Sequence, residues 1–181
     1  MSDQISVAEY CQNILPAQFA TAMADLSPEA AAQPEITSTY AISGAGGGTY
    51  GLRVANGQLE VVPGGIPNSD LYTTTTIENW LSGVVHIGEP LIRFVKQGKV
   101  NAVRNLRGAL RLDIARADGS SIESTTVYGG AASPDVTIRM KADDYKALMN
   151  GSLNGQLAFM TGKLKFDGSL PFLLQLAAAS F

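Results

Sequence analysis

The sequence predicts an α+β fold with an internal repeat of about 65 residues. First, anchor residues recur at a near-constant offset: Asp70 and Asp135 lie 65 positions apart, and Gly98 and Gly162 lie 64 apart. Second, each copy reads as a strand, two short helices rich in Phe, Leu and Met, and a strand opened by Gly-Lys. Third, 45% hydrophobic and 16% charged residues are enough to build a core.

Residues 1–35 are predicted to form an N-terminal helical segment. Apolar side chains recur at helical spacing from Val7 to Leu26, with an interruption at Pro16. Ser27-Pro28-Glu29 has the composition of a second helix start, because proline is favoured at the first helical position.

The rest of the chain is divided into a first unit, residues 36–108, and a second unit, residues 109–181, which we expect to fuse into one domain. In the first unit, Asn56-Gly57 lies between two alternating segments and predicts a type I′ hairpin. The glycine run at 44–48 precedes another strand rather than a helix, which favours a hairpin loop over a phosphate-binding loop. The further predicted elements of this unit are strands at 37–42, 50–55, 70–76 and 99–103, and helices at 77–85 and 89–97.

The second unit is predicted to contain the same kinds of element. Val136, Ile138 and Met140 alternate with polar residues, which is typical of a strand with one buried face. Ser169 is placed to cap a final helix. The further predicted elements are strands at 110–114, 122–127 and 163–166, and helices at 143–150 and 154–161.

Charge and cysteine content narrow the range of functions. A net charge of −3 and a pI of about 5.1 argue against a nucleic-acid partner, because a protein that binds nucleic acid normally carries a stripe of basic residues on its surface. The single cysteine, Cys11, allows no intrachain disulfide, fits a reducing compartment, and is interpreted as a packed thiol. The first residues lack the basic region of a signal peptide, and no apolar run reaches the ~20 residues that span a bilayer. These features predict a cytoplasmic protein.

The segment A-F-M-T-G-K-L-K at 158–165 resembles the sterol carrier protein-2 family. The resemblance extends to D-V-T-I at 135–138 and Y-K-A-L-M-N-G at 145–151. The glycine-rich loop at 44–48, the Asn56-Gly57 hairpin and P-N-S-D at 67–70 resemble another part of the same family.

This resemblance implies a curved, mostly antiparallel sheet covered by helices, with a hydrophobic tunnel between them. It implies a sterol, fatty acid, acyl-CoA or other lipid as ligand, with no catalytic residue, metal or cofactor. The chain departs from the family by duplicating a half-motif. The first copy has Arg93-Phe94-Val95 where the second has Phe159-Met160. One tunnel, two tunnels or a filled tunnel are all compatible with this pattern.

Aromatic, leucine and methionine side chains suit an acyl chain, because each buried CH2 contributes roughly 0.8 kcal/mol. Each such residue taken alone is equally consistent with ordinary core. The resemblance favours Phe159, Met160 and Phe172 as tunnel residues. The candidate ligand-binding residues are Trp80, Leu91, Phe94, Leu148, Leu153, Leu157, Phe159, Met160, Phe166, Phe172, Leu173 and Leu176.

Polar candidates have simple structural interpretations. Lys99 and Lys163 are expected to be solvated charges, although either could neutralise a carboxylate or phosphate. A lone histidine, His86, cannot build a multi-histidine metal site. The arginine cluster formed by Arg104, Arg107 and Arg111 is either solvated surface or a contact for lipid headgroups.

We therefore predict a non-catalytic lipid-binding or lipid-transfer protein with transient membrane-surface contact. The terminal helix, from Ser169 to Phe181, is expected to act as a gate. The alternative is a non-enzymatic accessory protein whose tunnel is closed and whose surface recruits protein partners. The sequence carries no information on the oligomeric state.

Overall fold

The computed structural model, which describes residues 5–180, has an α+β fold in which helices cover one eight-stranded sheet. This confirms the predicted fold class. The strands are β1 (Ile36–Ser43), β2 (Gly48–Ala55), β3 (Gln58–Pro63), β4 (Leu71–Thr76), β5 (Gly108–Ala115), β6 (Ser121–Tyr128), β7 (Asp135–Lys141) and β8 (Leu164–Gly168). The helices are α1 (Val7–Glu9), α2 (Leu15–Met23), α3 (Pro28–Ala31), α4 (Ile77–Leu81), α5 (Glu89–Lys96), α6 (Val100–Arg104), α7 (Ala142–Met149), α8 (Gly155–Met160) and α9 (Leu170–Ser180).

The strand order is β3-β2-β1-β4-β6-β5-β7-β8. Strands β1 and β4 are parallel, as are β5 and β7, and the other neighbouring strands pair antiparallel. The β4–β6 pair joins the two predicted units, with Leu71 opposite Tyr128 and Thr74 opposite Thr125. The strands of both units therefore belong to one continuous sheet.

The same succession of elements occurs twice along the chain. A hairpin (β1–β2) is followed by a strand parallel to its first strand (β4) and by helices α4 and α5. The hairpin β5–β6 is likewise followed by β7, α7 and α8. The place beside β4 is taken by β6, a strand of the second unit. A common origin of the two halves by duplication stays a prediction.

The two successions end differently, which corrects one prediction. The strand expected at 99–103 is the helix α6. Its Val100 and Val103 are buried at a spacing of three residues, which matches one face of a helix and not the alternation of a strand. The corresponding segment after Gly162 is strand β8, as predicted.

The N-terminal segment is one continuous helical stretch, with a π-helical turn at Tyr10–Ile14 between α1 and α2. Proline lacks an N–H group and disturbs the helix before it, so the wider turn accommodates Pro16. Residues 24–27 separate this stretch from α3, which Ser27 caps through a 3.2 Å bond from the Ala30 N–H. Residues 1–4 of the predicted helical segment and Phe181 of the predicted gate lie outside the described residues.

The predicted turn at Asn56-Gly57 and the predicted strand around Val136 are confirmed. Asn56 and Gly57 have φ values of 52° and 71°, the two consecutive positive angles that a type I′ turn requires. In β7, Val136 and Met140 are buried while Arg139 is exposed. The exposed face of the sheet carries ion pairs, for example between Arg139 and Asp113, whereas the other face packs against helices.

Candidate functional site: a central cavity under the sheet

A cavity of about 910 Å³ lies between the sheet and the helices, and we call it the central cavity. Its sheet-side wall is formed by every second residue of six strands, because side chains alternate between the faces of a strand. These residues are Tyr40 on β1, Leu71 and Thr73 on β4, Leu110 and Leu112 on β5, Ser124, Thr126 and Tyr128 on β6, Ile138 and Met140 on β7, and Leu164 and Phe166 on β8.

Both halves of the chain supply the opposite wall of the central cavity. The first half contributes the turn at residues 84–86 and helix α5. The second half contributes α7, α8 and α9. The helix-side lining residues are Val84, Val85, His86, Glu89, Pro90, Arg93, Phe94, Tyr145, Leu148, Met149, Gly151, Leu153, Asn154, Gly155, Gln156, Phe159, Leu170, Leu173, Leu174, Leu176 and Ala177.

The sheet-side wall changes from polar to apolar across the sheet. On β4 and β6, Thr73 and Thr126 lie opposite each other with their hydroxyl oxygens 2.9 Å apart, and Ser124 follows on β6. On β7 and β8, Ile138 pairs with Phe166, and Met140 pairs with Leu164. The cavity therefore offers hydroxyl groups on one side and aliphatic or aromatic side chains on the other.

Tyrosines also line the central cavity, Tyr40 and Tyr128 from the sheet and Tyr145 from α7. The Tyr40 hydroxyl accepts a 3.3 Å hydrogen bond from the Gly88 N–H. Burial raises the pKa of the Tyr128 and Tyr145 hydroxyls above the ordinary value, while the nearby positive charge of Arg93 opposes that rise. Both phenols are therefore protonated at neutral pH and retain a proton to donate.

Charged side chains in the wall are few. His86 Nδ1 lies 3.2 Å from Glu89 Oε2, and both side chains are substantially exposed to solvent. Arg93 follows Glu89 by one helical turn and is partly buried, with its Nε atom buried and without a hydrogen-bond partner. A charged group in such a place is costly unless it is paired.

Seven of the twelve candidate ligand-binding residues line the central cavity. These are Phe94, Leu148, Leu153, Phe159, Phe166, Leu173 and Leu176.

The other five candidates lie outside the central cavity. Leu91 and Phe172 are fully buried in the core, where Phe172 contacts the Tyr128 ring edge-on. Trp80 packs against Tyr10. Leu157 and Met160 are on the exposed face of α8, with 52% and 74% of their surface accessible. Helical spacing alone could not distinguish these three environments.

Apart from Phe166 on β8, sequence reasoning missed the residues that the strands contribute. Leu112, Thr126 and Ile138 follow the alternation of a strand with one buried face, so the sequence indicates in part which face of the sheet they occupy. The sequence does not indicate that these residues meet around one cavity, because neighbouring strands such as β4 and β6 are distant in sequence. Arg93 was noted only as a departure from the family pattern.

The other polar candidates are engaged elsewhere. Lys163 Nζ pairs with Asp144 Oδ1 at 2.8 Å, and Lys99 Nζ donates a 2.8 Å hydrogen bond to the Ala178 carbonyl. Lys163 therefore contacts helix α7, and Lys99 contacts helix α9. Cys11 is buried, and that burial raises the pKa of its thiol to about 12.

The arginine cluster makes protein contacts. Arg104 Nε lies 3.3 Å from Asp70 Oδ1, and Arg111 Nη2 lies 3.8 Å from Asp135 Oδ2. Arg107 donates hydrogen bonds to the carbonyls of Arg104 and Leu106.

Within residues 5–180, no group of three or more His, Cys, Asp or Glu side chains is arranged to hold a metal ion. Among the same residues, no helix has the length and apolar character needed to cross a bilayer.

Comparisons with known proteins identify relatives. One curated relative, Peroxisomal multifunctional enzyme A from Dictyostelium discoideum, is 32% identical over 127 residues, covering 66% of this chain and 27% of the relative. The chain therefore spans about a quarter of that relative's length.

Three solved structures share parts of the chain. Sterol Carrier Protein 2 Like 2 from Aedes aegypti covers 49% of this chain and 94% of its own, with 22% identity and a TM-score of 0.36. The sterol carrier protein domain 2 of Helicoverpa armigera covers 53% and 92%, with 22% identity and a TM-score of 0.38. Sterol Carrier Protein 2 from Yarrowia lipolytica covers 50% and 77%, with 19% identity and a TM-score of 0.37.

A family model described as the SCP-2 sterol transfer family matches residues 91–180. This range begins in α5 and includes strands β5 to β8 and helices α7 to α9, the elements that build most of the central cavity. It also contains the motif at 158–165 on which the resemblance depends. Over residues 91–180 this chain is therefore similar to the SCP-2 sterol transfer family.

Proposed function

We propose that the protein binds a hydrophobic small molecule non-covalently in the central cavity and transfers it between membranes. The observation that carries the proposal is the cavity of about 910 Å³, lined largely by leucine, isoleucine and aromatic side chains. This volume falls within the roughly 300–1,000 Å³ that is typical of small-molecule sites. A sterol, fatty acid, acyl-CoA or other lipid would gain affinity by moving apolar surface out of water.

The site works by partition and not by chemical conversion. Among the described residues of the cavity wall there is no cysteine, and the one histidine pairs with Glu89. The buried Cys11 is held as a neutral thiol by its raised pKa of about 12. The name of the Dictyostelium relative describes a multifunctional enzyme, but this chain spans only about a quarter of it. We assign the present chain a binding role.

Native mass spectrometry of the freshly purified protein tests the proposal. We expect a bound mass that extraction in organic solvent releases, and saturable binding of a fluorescent fatty acid to the delipidated protein. A protein that is always empty and does not bind the fluorescent lipid would contradict the proposal and support the accessory-protein alternative.

We further propose that helices α8 and α9 meet the membrane during transfer and that α9 acts as the gate. Five large apolar side chains here are at least half exposed, and we call them the apolar rim: Leu157, Phe159, Met160, Leu170 and Leu174. Phe159, Leu170 and Leu174 also line the central cavity, so the rim adjoins the ligand site. Exposed apolar groups beside a cavity fit transient insertion at a lipid surface.

The double variant Leu157→Lys/Met160→Lys tests membrane contact separately from binding, because neither residue lines the cavity. We expect lipid affinity in solution to be unchanged and transfer between neutral phosphatidylcholine vesicles to slow about tenfold. Leu81→Lys is the matched control, since Leu81 is 44% exposed on α4 and away from the rim. Equal transfer rates for all three proteins would rule out contact through the rim.

The location of the protein is also a proposal. The single buried cysteine fits the reducing cytoplasm that the sequence predicts. The name of the Dictyostelium relative suggests the peroxisome instead. Cell fractionation with peroxisomal and cytoplasmic markers would decide between the two.

A further inference from the structure

Arg93 is the charged group in the central cavity that the partition mechanism leaves without a role. It lines the cavity from helix α5, and its Nε atom is buried without a hydrogen-bond acceptor. No ion pair or side-chain hydrogen bond within residues 5–180 includes its guanidinium group. An arginine cannot lose its proton at neutral pH, so it lacks the option of becoming neutral.

The nearest acidic side chain on the same helix is Glu89, one turn before Arg93. Its carboxylate is directed to His86, at 3.2 Å from Nδ1. The other polar side chains that line the central cavity are uncharged: Tyr40, Thr73, Ser124, Thr126, Tyr128, Tyr145, Asn154 and Gln156. The positive charge of Arg93 is therefore not neutralised by a direct protein partner.

Two phenols that line the same cavity as Arg93 add hydrogen-bond donors. Tyr128 is on β6 and Tyr145 is on α7. Within the described residues, neither hydroxyl donates a hydrogen bond to another side chain or carbonyl. A guanidinium and two phenols around one space form a donor set for an anion, since a planar carboxylate can accept two bonds from arginine.

The distribution of polar and apolar residues around the central cavity fits an amphipathic ligand. Hydroxyl-bearing residues line it on β4 and β6, and apolar residues such as Ile138 and Phe166 line it on β7 and β8. A ligand with one anionic end and one long apolar end would match both sides at once.

We infer that Arg93 binds the carboxylate of a long-chain fatty acid whose acyl chain lies toward β7 and β8. This inference depends on the proposed function, and it favours fatty acids over uncharged sterols as the ligand class. Charge-assisted hydrogen bonds inside a protein strengthen binding by roughly ten- to hundredfold. The same donors could bind the phosphate of a single-chain phospholipid, so the experiment includes one.

The test measures dissociation constants of the delipidated protein for palmitate, methyl palmitate and lysophosphatidic acid. We expect palmitate to bind at least tenfold more tightly than its methyl ester. In Arg93→Met, palmitate affinity should fall ten- to hundredfold while methyl palmitate affinity is unchanged, and Arg93→Lys should retain part of the affinity. Lys96→Met, an exposed position on the same helix, is the matched control and should change neither.

A purely structural role for Arg93 predicts a different result. Removing a partly buried, unpaired charge should leave the melting temperature of Arg93→Met unchanged or raise it, whereas loss of a structural contact would lower it. Carboxyl-¹³C palmitate bound to the wild-type protein gives a readout that needs no variant, since contact with Arg93 should depress the pKa of its carboxyl group.

The outcomes separate the inference from the proposed function. Equal affinity for palmitate and methyl palmitate, or equal losses for both in Arg93→Met, would overturn the Arg93 site while leaving lipid binding intact. Tighter binding of lysophosphatidic acid than palmitate would overturn the carboxylate assignment in favour of a phosphate. If none of the lipids binds the wild-type protein, both the inference and the proposed function fail.

Discussion

The two halves of the molecule share a succession of elements but differ in how their sheet is covered. On β1 and β2, Ile36, Tyr40, Ile42, Leu52 and Val54 are almost completely buried. On β7 and β8 the corresponding face is only partly covered, and the central cavity lies against it. The first half is filled against β2, and the second half is hollow against β7 and β8, although β1, β4 and α5 of the first half also contribute to the cavity wall.

The difference comes from the helices. The N-terminal helical stretch places Val7, Cys11, Leu15 and Phe19 in the core, each at most 2% exposed. Helix α7 has no fully buried residue, and α8 has only Ala158. Short helices held at their ends over a wide sheet leave space that longer, well-packed helices would occupy. A cavity can thus be a consequence of which helix covers a sheet, with no special residue needed to create it.

The largest expected difference is in how much the free energy of unfolding falls when a leucine is replaced by alanine in each half. Leu52 on β2 is 0% exposed and lies in the filled core, whereas Leu112 on β5 borders the cavity. Leu52→Ala should destabilise the protein by about 2–5 kcal/mol, and Leu112→Ala by about 1 kcal/mol, because its side chain has fewer neighbours to lose. Urea unfolding of both variants checks this. Equal costs would show that the second half is as well packed as the first.

The reactivity of Cys11 reports on the filled half. Because burial raises the pKa of its thiol to about 12, the thiolate is suppressed at all pH values well below 12. At pH 8 the native protein should react with a disulfide reagent at least a hundredfold more slowly than the unfolded protein, whose cysteine has a pKa near ~8.5. Rapid reaction of the native thiol would mean that the N-terminal helices open readily.

Filling the central cavity with larger side chains should weaken the proposed lipid binding without unfolding the protein. Leu112→Phe combined with Leu148→Trp adds bulk on opposite walls of the central cavity. We expect fluorescent fatty-acid affinity to fall at least tenfold with stability within about 1 kcal/mol of the wild type, since the added atoms enter empty space. The control is Leu52→Trp, which should destabilise strongly because that position is already packed. Unchanged lipid affinity in the filled variant would place the ligand elsewhere.

The smallest expected effect concerns the contact between the halves at the gate. Lys99, from the first half, donates its hydrogen bond to the Ala178 carbonyl on α9. Lys99→Met should release the end of this helix and raise the lipid dissociation rate two- to fivefold, because a surface bond of this kind contributes only about 1 kcal/mol. Stopped-flow displacement measures the rate. Lys163→Met, which removes the pair with Asp144 on α7, tests whether the effect is specific to α9.

Much of the secondary structure was predictable because its signals are local. The Asn56-Gly57 turn, the Ser169 cap and the alternation in β7 each depend on a few adjacent residues. The strand expected at 99–103 was wrong: the run is too short for a firm periodicity, and the spacing of Val100 and Val103 matches one face of a helix.

The candidate site was predictable only in part. Phe94, Leu148 and Phe166 line the cavity, but Leu91 and Phe172, which have the same chemistry, lie in solid core. Whether an apolar residue faces a hollow or a packed neighbour depends on what covers it, and periodicity carries no information on that.

The sequence by itself determined the kinds of element, their order, and the family motif at 158–165. The tertiary structure decided that β4 pairs with β6, that both halves enclose one central cavity, and that Arg93 lines it without a side-chain partner among residues 5–180. The physical reason is one of distance along the chain. Turns and helix caps form between neighbouring residues, whereas strand pairing, cavity volume and the neutralisation of a buried charge depend on groups that only folding brings together.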